Sequence, residues 1–466
     1  MTMLPMIFAL LVTVWTGWMI LRRYKPQAIL LFSGLLLTAF AMIFGPDLNF
    51  VSAGSLTQGQ STGSRWIDLF AHIRQLFSSR AAGIGLTIMA IAGFAKYMDH
   101  IGASRALVGI AVKPLTVLKS PYIALSICFV LGVIINIFIP SASGLGLLLM
   151  VTMYPVLIRL GVSKLSATAV IASCTFIDLG PASGTANFAS QVVGIDVMTY
   201  FISHQIPVSI AVVLAGSTAH FFLQRFYDKK DGHISDAVVK QIQEEKGEDA
   251  ANAPPPKIYA LLPVIPLVLL FVFSDLFNMP YRIDIVTAMI VCLALSMLAE
   301  LIRLRDPKKV LASIQVFFDG MGVSFATVIT LIVAGEVFAN GLIMSGAITG
   351  VIEGAQALGI SGGAFTAVMS GIVATAAVLM GSGNAPFFAF AGLVPDVSAA
   401  VGVSAVSMIL PMQFATSIAR SVSPIAAVII AVAGVAGLSP IDVVKRTAVP
   451  MAISMVITLI ASAIFL

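Results

Sequence analysis

Apolar stretches of hydrocarbon length recur along the whole chain, and no other feature limits its fold as tightly. A helix needs about 20 apolar residues to cross a bilayer. Stretches of that order occupy residues 4–21, 28–44, 83–98, 165–191, 198–222, 258–277, 285–302, 318–344, 405–436 and 443–466. Two more, 122–160 and 364–400, are each interrupted midway by small polar residues. The bilayer core offers no water to backbone groups, so the spans must satisfy them internally as helices. The sequence predicts an all-α polytopic membrane protein. Charged residues are only 10% of the 466, against about 25% in soluble proteins. A soluble globule is excluded, and with it a nucleic-acid partner, despite the net charge of +5.

The three cysteines, Cys128, Cys174 and Cys292, sit inside apolar runs, which argues against a disulfide framework or a metal cluster. The histidines form no HExxH pattern, and no cofactor motif is present. Arg22, Arg23 and Lys25 follow the first apolar stretch rather than precede it, so that stretch is read as a retained helix and not a signal peptide. Residues 225–257, which include Pro254-Pro255-Pro256, read as a solvated linker.

The two sides of this linker look alike. Residues 120–163 and 361–404 align without a gap, both ending in Gly-Val-Ser, and Asp196 and Pro207 answer Asp442 and Pro450. This predicts an internal duplication. If the interrupted regions are re-entrant hairpins, each half has five transmembrane helices plus one hairpin, and that odd count makes the second half inverted. The limbs are also about long enough to span, which gives a twelve-span alternative. With the N-terminus outside, all 26 Lys and Arg fall on the inner side except Arg65, Arg74, Arg80 and Arg282 outside, and Arg420 within a span. The positive-inside rule then places both termini on the outer side of the membrane. Between the second and third spans, Trp66, Leu69, Phe70, Ile73, Leu76 and Phe77 recur at helical spacing, the pattern of an amphipathic interfacial helix or of a plain packing helix.

Four polar clusters fall at matching places in the halves. The interruption tips carry Ser141, Ser143 and Gly144, and Ser382, Gly383 and Asn384. The following spans are broken at Gly180-Pro181-Ala182-Ser183-Gly184-Thr185 and at Ser421-Val422-Ser423-Pro424. Proline removes a backbone donor and glycine permits unwinding, so each break predicts two half-helices meeting near the midplane. Half-helix N-termini favour anions, and freed carbonyls favour Na⁺ or similar cations. Close packing of small residues is the competing reading of each cluster. Asp178 and Arg420 are approximate repeat mates inside spans, and Glu336 is a third intramembrane charge. Asn187 follows the first break on the same predicted half-helix. Intramembrane charges require a partner or a cavity, so Asp178, Asn187 and Glu336 are the coupling or ion candidates. Ser143 or Ser183 with His204 or His220 would suit an intramembrane serine protease, and a channel is a further alternative.

At these motifs the sequence resembles the DcuC family of anaerobic C4-dicarboxylate transporters, within the ion-transporter superfamily. The resemblance is strongest in SASGLGLLLM (141–150), AHFFLQRFYDKK (219–230), GSGNAPFFAF (381–390) and SPIDVVKRTAVP (439–450). It implies secondary transport of succinate, fumarate and malate, coupled to H⁺ or Na⁺, with another small carboxylate as the alternative substrate. It further implies a homodimer in which an elevator-type transport domain moves against a scaffold. The scaffold would comprise 1–119 and 258–360, and the transport parts 120–224 and 361–466, joined by the 225–257 cytoplasmic linker. Related sodium symporters carry Ser-Asn-Thr at the tips, which would put Na⁺ at Ser141, Ser143, Ser382 and Asn384, although neither tip here is Ser-Asn-Thr. The resemblance also sets Arg420 against a substrate carboxylate.

Overall fold

A computed structural model describes residues 3–22, 24–44, 60–118, 120–232, 256–274, 280–347, 350, 353–354 and 361–466. Most of the expected linker, 233–255, lies outside the described residues, as do Arg23 and Lys119 of the topology argument. Every regular element among the described residues is helical. The first half comprises α1 (Met3–Leu21), α2 (Pro26–Phe44), α3 (Arg65–His100), α4 (Ala103–Ala111), α5 (Pro121–Asn136), α6 (Ala142–Thr152), α7 (Tyr154–Arg159), α8 (Lys164–Ser173), α9 (Gly184–Val192) and α10 (Val197–Lys230). Then follow α11 (Ile265–Val272), α12 (Ile285–Leu304), α13 (Pro307–Met344), α14 (Gly362–Met380), α15 (Asn384–Ala391), α16 (Val394–Val401), α17 (Ala405–Arg420), α18 (Ala427–Ala436) and α19 (Pro440–Phe465). Seven of these, α2, α3, α10, α12, α13, α14 and α19, are long and apolar enough to cross a membrane. The pair α15–α16, bent by 62°, raises the number to eight if it counts as one span.

Local chemistry sets the helix ends. Ser141, Ser163, Ser183, Asp284, Asp306, Ser361 and Ser404 are N-caps whose side chains accept a backbone N–H from the first turn. Proline opens α5, α13 and α19, where its missing N–H costs nothing. The apolar run that starts at Ile258 is interrupted within the described residues 256–274. Pro263 and Pro266 break it into a 3₁₀ turn, Lys257–Leu261, and the short α11. Conversely, α3 and α13 begin well before the predicted spans, α13 passing through a π-helical turn at Phe325–Ile329 and α3 crossing a kink at Gly83, whose φ of −89° and ψ of −111° are not helical.

Large apolar side chains face outward, and the mainly apolar interior also holds polar groups. Leu10, Val151, Leu214, Ile302 and Ile464 are exposed, while Gln224, Asp228, Gln413 and Thr416 are fully buried. The start of α3 follows the same rule. Trp66 and Phe70 of its apolar stripe face outward, whereas Asp68 is buried and accepts from Ser61 Oγ (2.6 Å) and Thr62 N (2.6 Å).

Close helix crossings join the elements. The C-terminal half of α13 lies along α2, and its N-terminal half along α3. A Cβ on Gly34 of α2 would stand 2.6 Å from the backbone of Val337 and Phe338, so only glycine permits this crossing. Gly34→Ala should force the helices apart and cost about 1–3 kcal/mol. The check is a thermal melt of the detergent-purified protein, with an unshifted transition counting against the tight crossing. Elsewhere, α10 packs on α19, α17 on α14 and α19, and α6 on α18, while α9 and α15 touch both α3–α13 and the remaining helices.

Candidate functional site

Both predicted breaks are present. Between α8 and α9 the backbone leaves helical geometry over residues 174–183, with Gly180 in the left-handed region at φ 77°. Such a stretch inside an apolar body must find new partners for its carbonyls. It finds them in side chains. Arg420 Nη2 donates to the Thr175 carbonyl, Asn136 Nδ2 to Ile177 (3.1 Å), and Gln413 and Gln205 Nε2 to Asp178 (3.1 and 3.3 Å). Asn187 Nδ2 donates to both Pro181 and Ser183 (2.7 Å each). The carbonyls expected to attract a cation are therefore engaged by the protein itself. The second break, 421–426, is tied down by Thr447 Oγ1 donating to the Ser421 carbonyl (2.8 Å) and Ser423 Oγ donating to that of Val378 (2.6 Å).

The two breaks meet at Asp178 and Arg420. Nη2 of Arg420 lies 3.2 Å from Asp178 Oδ1, and Ser417 Oγ donates to Oδ2 at 2.8 Å. The side chains are 11% and 16% exposed, so each offsets the other's desolvation. Around the pair, Tyr200 OH donates to Gln413 Oε1 (2.8 Å), and Gln413 Nε2 also reaches Thr185 Oγ1 (3.2 Å). Ser183 and Thr185 share a hydrogen bond of 3.0 Å, and Ser183 caps α9 at Gly184. Three buried atoms here have no partner: Arg420 Nε, Thr175 Oγ1 and Ser421 Oγ.

The tips divide between the breaks. Gly383 sits so close to Thr416 and Ser417 that a Cβ would be 2.9 Å from the Thr416 carbonyl oxygen, which brings the second tip against the Asp178–Ser417 contact. The first tip lies by the first break, where Pro140, Pro181 and Ala182 line one small cavity. Ser141 accepts from Gly144 N (3.3 Å) and caps α6, and Ser382, one residue before the α15 N-cap Gly383, accepts from Ala385 N (3.4 Å). Ser143 and Asn384 are half-buried, and their side chains make no hydrogen bond among the described residues.

Glu336 lies apart from this cluster. It pairs with Arg80 Nε, at 2.7 Å from Oε1 and 2.9 Å from Oε2, beside a cavity of about 310 Å³. A larger cavity, about 880 Å³, runs past Asn187, Ser190 and Gln191 to Asp196 and Asp284. Sequence reasoning missed Asn136, Gln205 and Gln413, whose signal was an amide placed within an apolar run. It also missed Tyr200 and Ser417, which carry no such signal.

The serine–histidine pair that does form is neither of those considered. Ser173 Oγ is 3.0 Å from His220 Nε2, and both residues are fully buried. Gln224 Nε2 faces His220 Nδ1 (3.3 Å) where a protease would hold an acid. That pair belongs to an interhelical clamp. Arg446 Nη1 binds Asp228 Oδ1 at 3.0 Å, and Asp228 also accepts from Ser163 (2.7 Å), Ser166 (2.8 Å) and Tyr122 (3.2 Å).

Comparison with known proteins places this architecture. The transporters MtrF of Neisseria gonorrhoeae and YdaH of Alcanivorax borkumensis superpose with TM-scores of 0.57 and 0.56, at 13% and 14% identity. The matches cover 95% of this chain and 95% of MtrF, and 94% of this chain and 98% of YdaH, so the fold is shared. In sequence, the chain is 34% identical to a protein of Vibrio cholerae named "Probable anaerobic C4-dicarboxylate transporter DcuC", over 99% of this chain and 97% of that one. It is 33% identical to the anaerobic C4-dicarboxylate transporter DcuC of Escherichia coli K12, with the same coverage. The family profile described as C4-dicarboxylate anaerobic carrier matches residues 4–465. On these matches the chain is a membrane carrier rather than an enzyme, and it belongs to the DcuC family.

Proposed function

We propose that the chain is a secondary active transporter of C4-dicarboxylates such as succinate, fumarate and malate, which bind where the two breaks meet. One observation carries this reading. A nearly buried guanidinium with an unpartnered Nε stands among unpartnered Thr175 and Ser421 hydroxyls, donors without an acceptor. A carboxylate is the complementary group, and Arg420 offers it a planar fork. The unengaged side chains of Ser143 and Asn384 suit further neutral contacts, while Ser141, Gly144, Ser382 and Gly383 shape the tips. Ser183, Gly184 and Thr185 form the start of α9, and Ser423 braces the second break. The named substrates of the relatives give the class.

The mechanism is alternating access between two inverted repeats, each with a re-entrant hairpin. Matching element starts support the duplication: α5 and α14 begin at 121 and 362, α8 and α17 at 164 and 405, and Ser163 and Ser404 cap the latter pair alike. Residues 1–119 and 258–360 form the scaffold, and 120–224 and 361–466 the elevator-type moving part of a homodimer in the inner membrane. Both termini are periplasmic. Arg420 holds Asp178 when the site is empty and substrate when it is filled. The released Asp178 then takes up the coupling proton, with Na⁺ at the tips as the alternative coupling ion.

The test is uptake of labelled succinate, fumarate, malate and monocarboxylates into proteoliposomes under imposed H⁺ or Na⁺ gradients. Saturable dicarboxylate flux driven by the pH gradient is the expected result. Asp178→Asn should still bind substrate but transport it without pH dependence. Flux confined to monocarboxylates, or none under any gradient, rejects the reading, and a wild-type pH profile in Asp178→Asn removes that residue from coupling.

A further inference from the structure

The guanidinium of the Arg80–Glu336 pair is engaged through Nε alone. Nε contacts both carboxylate oxygens of Glu336, and the two terminal amino groups have no partner among the described residues. The Arg80 side chain is 35% exposed, and it lines the cavity of about 310 Å³. Gln191 and Asn340 add polar groups to the wall, and Phe188, Val192 and Ile343 add an apolar side. The Asn340 amide is held by His72 at 3.0 Å, whereas Gln191 is exposed and lies on the larger cavity as well.

We infer that this cavity is a second carboxylate site, outlying from the Asp178–Arg420 centre, in which the terminal amino groups of Arg80 bind a small carboxylate anion. Glu336 is the positioning residue. By holding Nε it turns the Nη1–Nη2 edge toward the cavity, the edge that binds a carboxylate bidentately. The apolar wall suits the short carbon chain between two carboxylates, and Gln191 supplies a neutral donor. The paired acid also keeps the site close to neutral, as a site that must release its ligand onward requires. The site is distinct from the central one. Gln191 is six residues beyond Thr185 on α9, roughly 9 Å of helix rise. Its walls come from α3 and α13 on one side and from α9 and the α15–α16 bend on the other, so a bound anion bridges helices that the proposed transport cycle moves apart.

The inference rests on dicarboxylate being the transported class, and the experiment separates the two. Succinate binding is measured by titration calorimetry on full-length protein in lipid nanodiscs. Wild type should bind at two sites. The double variant Arg80→Gln/Glu336→Gln, which removes both charges and strands neither, should retain one. Its KM for transport should rise about tenfold, the effect of one lost charge-assisted contact.

A second measurement keeps the native pair. Gln191→Cys introduces an exposed thiol into a chain whose own cysteines are buried. Succinate should slow its alkylation even in an Arg420→Ala background, where the central site is disabled. Single-site binding that Arg420→Ala abolishes, with an unchanged KM in the double variant and no thiol protection, overturns the outlying site and leaves the transport function standing. Absence of any succinate binding to wild type overturns both.

Discussion

Arg420→Ala should abolish transport while leaving the protein in the membrane. The substitution removes the charged donor at the meeting of the breaks and with it the contact to the Thr175 carbonyl. A hydrogen bond to a charged group is worth about 1.5–3 kcal/mol, so one lost contact weakens binding roughly 10- to 150-fold, and a bidentate contact loses more. Asp178 would also be left unpaired at 16% exposure, at a cost of about 2.5–3.5 kcal/mol on membrane-insertion scales. Arg420→Lys should not restore function, because a point charge cannot reproduce the planar fork. The double variant Arg420→Ala/Asp178→Asn separates the two effects. It should recover thermal stability yet remain inactive in the uptake assay. Measurable uptake by either Arg420→Ala protein would remove the guanidinium from the binding site.

The largest effect on stability is expected at the clamp between α8, α10 and α19. Asp228 is fully buried and Arg446 is 5% exposed. Besides Asp228, Arg446 contacts Asp231 and lies over the Tyr227 ring at 5.0 Å, and its carbonyl accepts from Gln224 (3.0 Å). Removing one partner leaves a buried charge uncompensated, which costs about 3–5 kcal/mol, whereas removing both charges together costs far less. Arg446→Met or Asp228→Asn alone should lower the melting temperature sharply and reduce membrane yield, and the double variant should recover most of the loss. Because neither Asp228 nor Arg446 bonds to a residue of either break, KM measured on the folded fraction should not change. Additive losses in the double variant would mean that the two residues act independently.

Much of this was legible before any coordinates, for physical reasons. Gly180-Pro181 and Ser423-Pro424 announce their breaks because proline removes a backbone donor and glycine or serine beside it lets the chain unwind. Asp178 and Arg420 announce their pairing because two opposite charges within apolar spans each need a partner. Helix length was less legible. Helical backbone already starts at Arg65 and reaches the kink at Gly83, a polar stretch that hydropathy alone passes over when it starts the span at 83. The stripe of Trp66 and Phe70 was visible, but which way it faces depends on Ser61 and Thr62 closing over Asp68. The amide network was illegible for another reason. Gln413 serves Asp178 and Thr185 across 235 and 228 residues of sequence, and only the fold makes them neighbours.

Those long separations bear on how the protein is made. The unwound stretch after α8 borrows its donors unequally from the two halves of the chain. Asn136 and Gln205 are synthesised close to it, but Gln413, Ser417 and Arg420 follow 235, 239 and 245 residues after the groups they serve. At about 5–20 residues per second, the ribosome needs roughly 12–50 s to deliver Arg420. Throughout that interval Asp178 and the Thr175 carbonyl lack their final partners in a medium that penalises unpaired polar groups. The nascent first half must therefore wait, its polar segment sheltered by the insertion machinery or by water, until the second half emerges to complete it. Biogenesis of this carrier is in that sense a joint act of its two halves, with the late-made Arg420 closing a gap opened by the early-made Asp178.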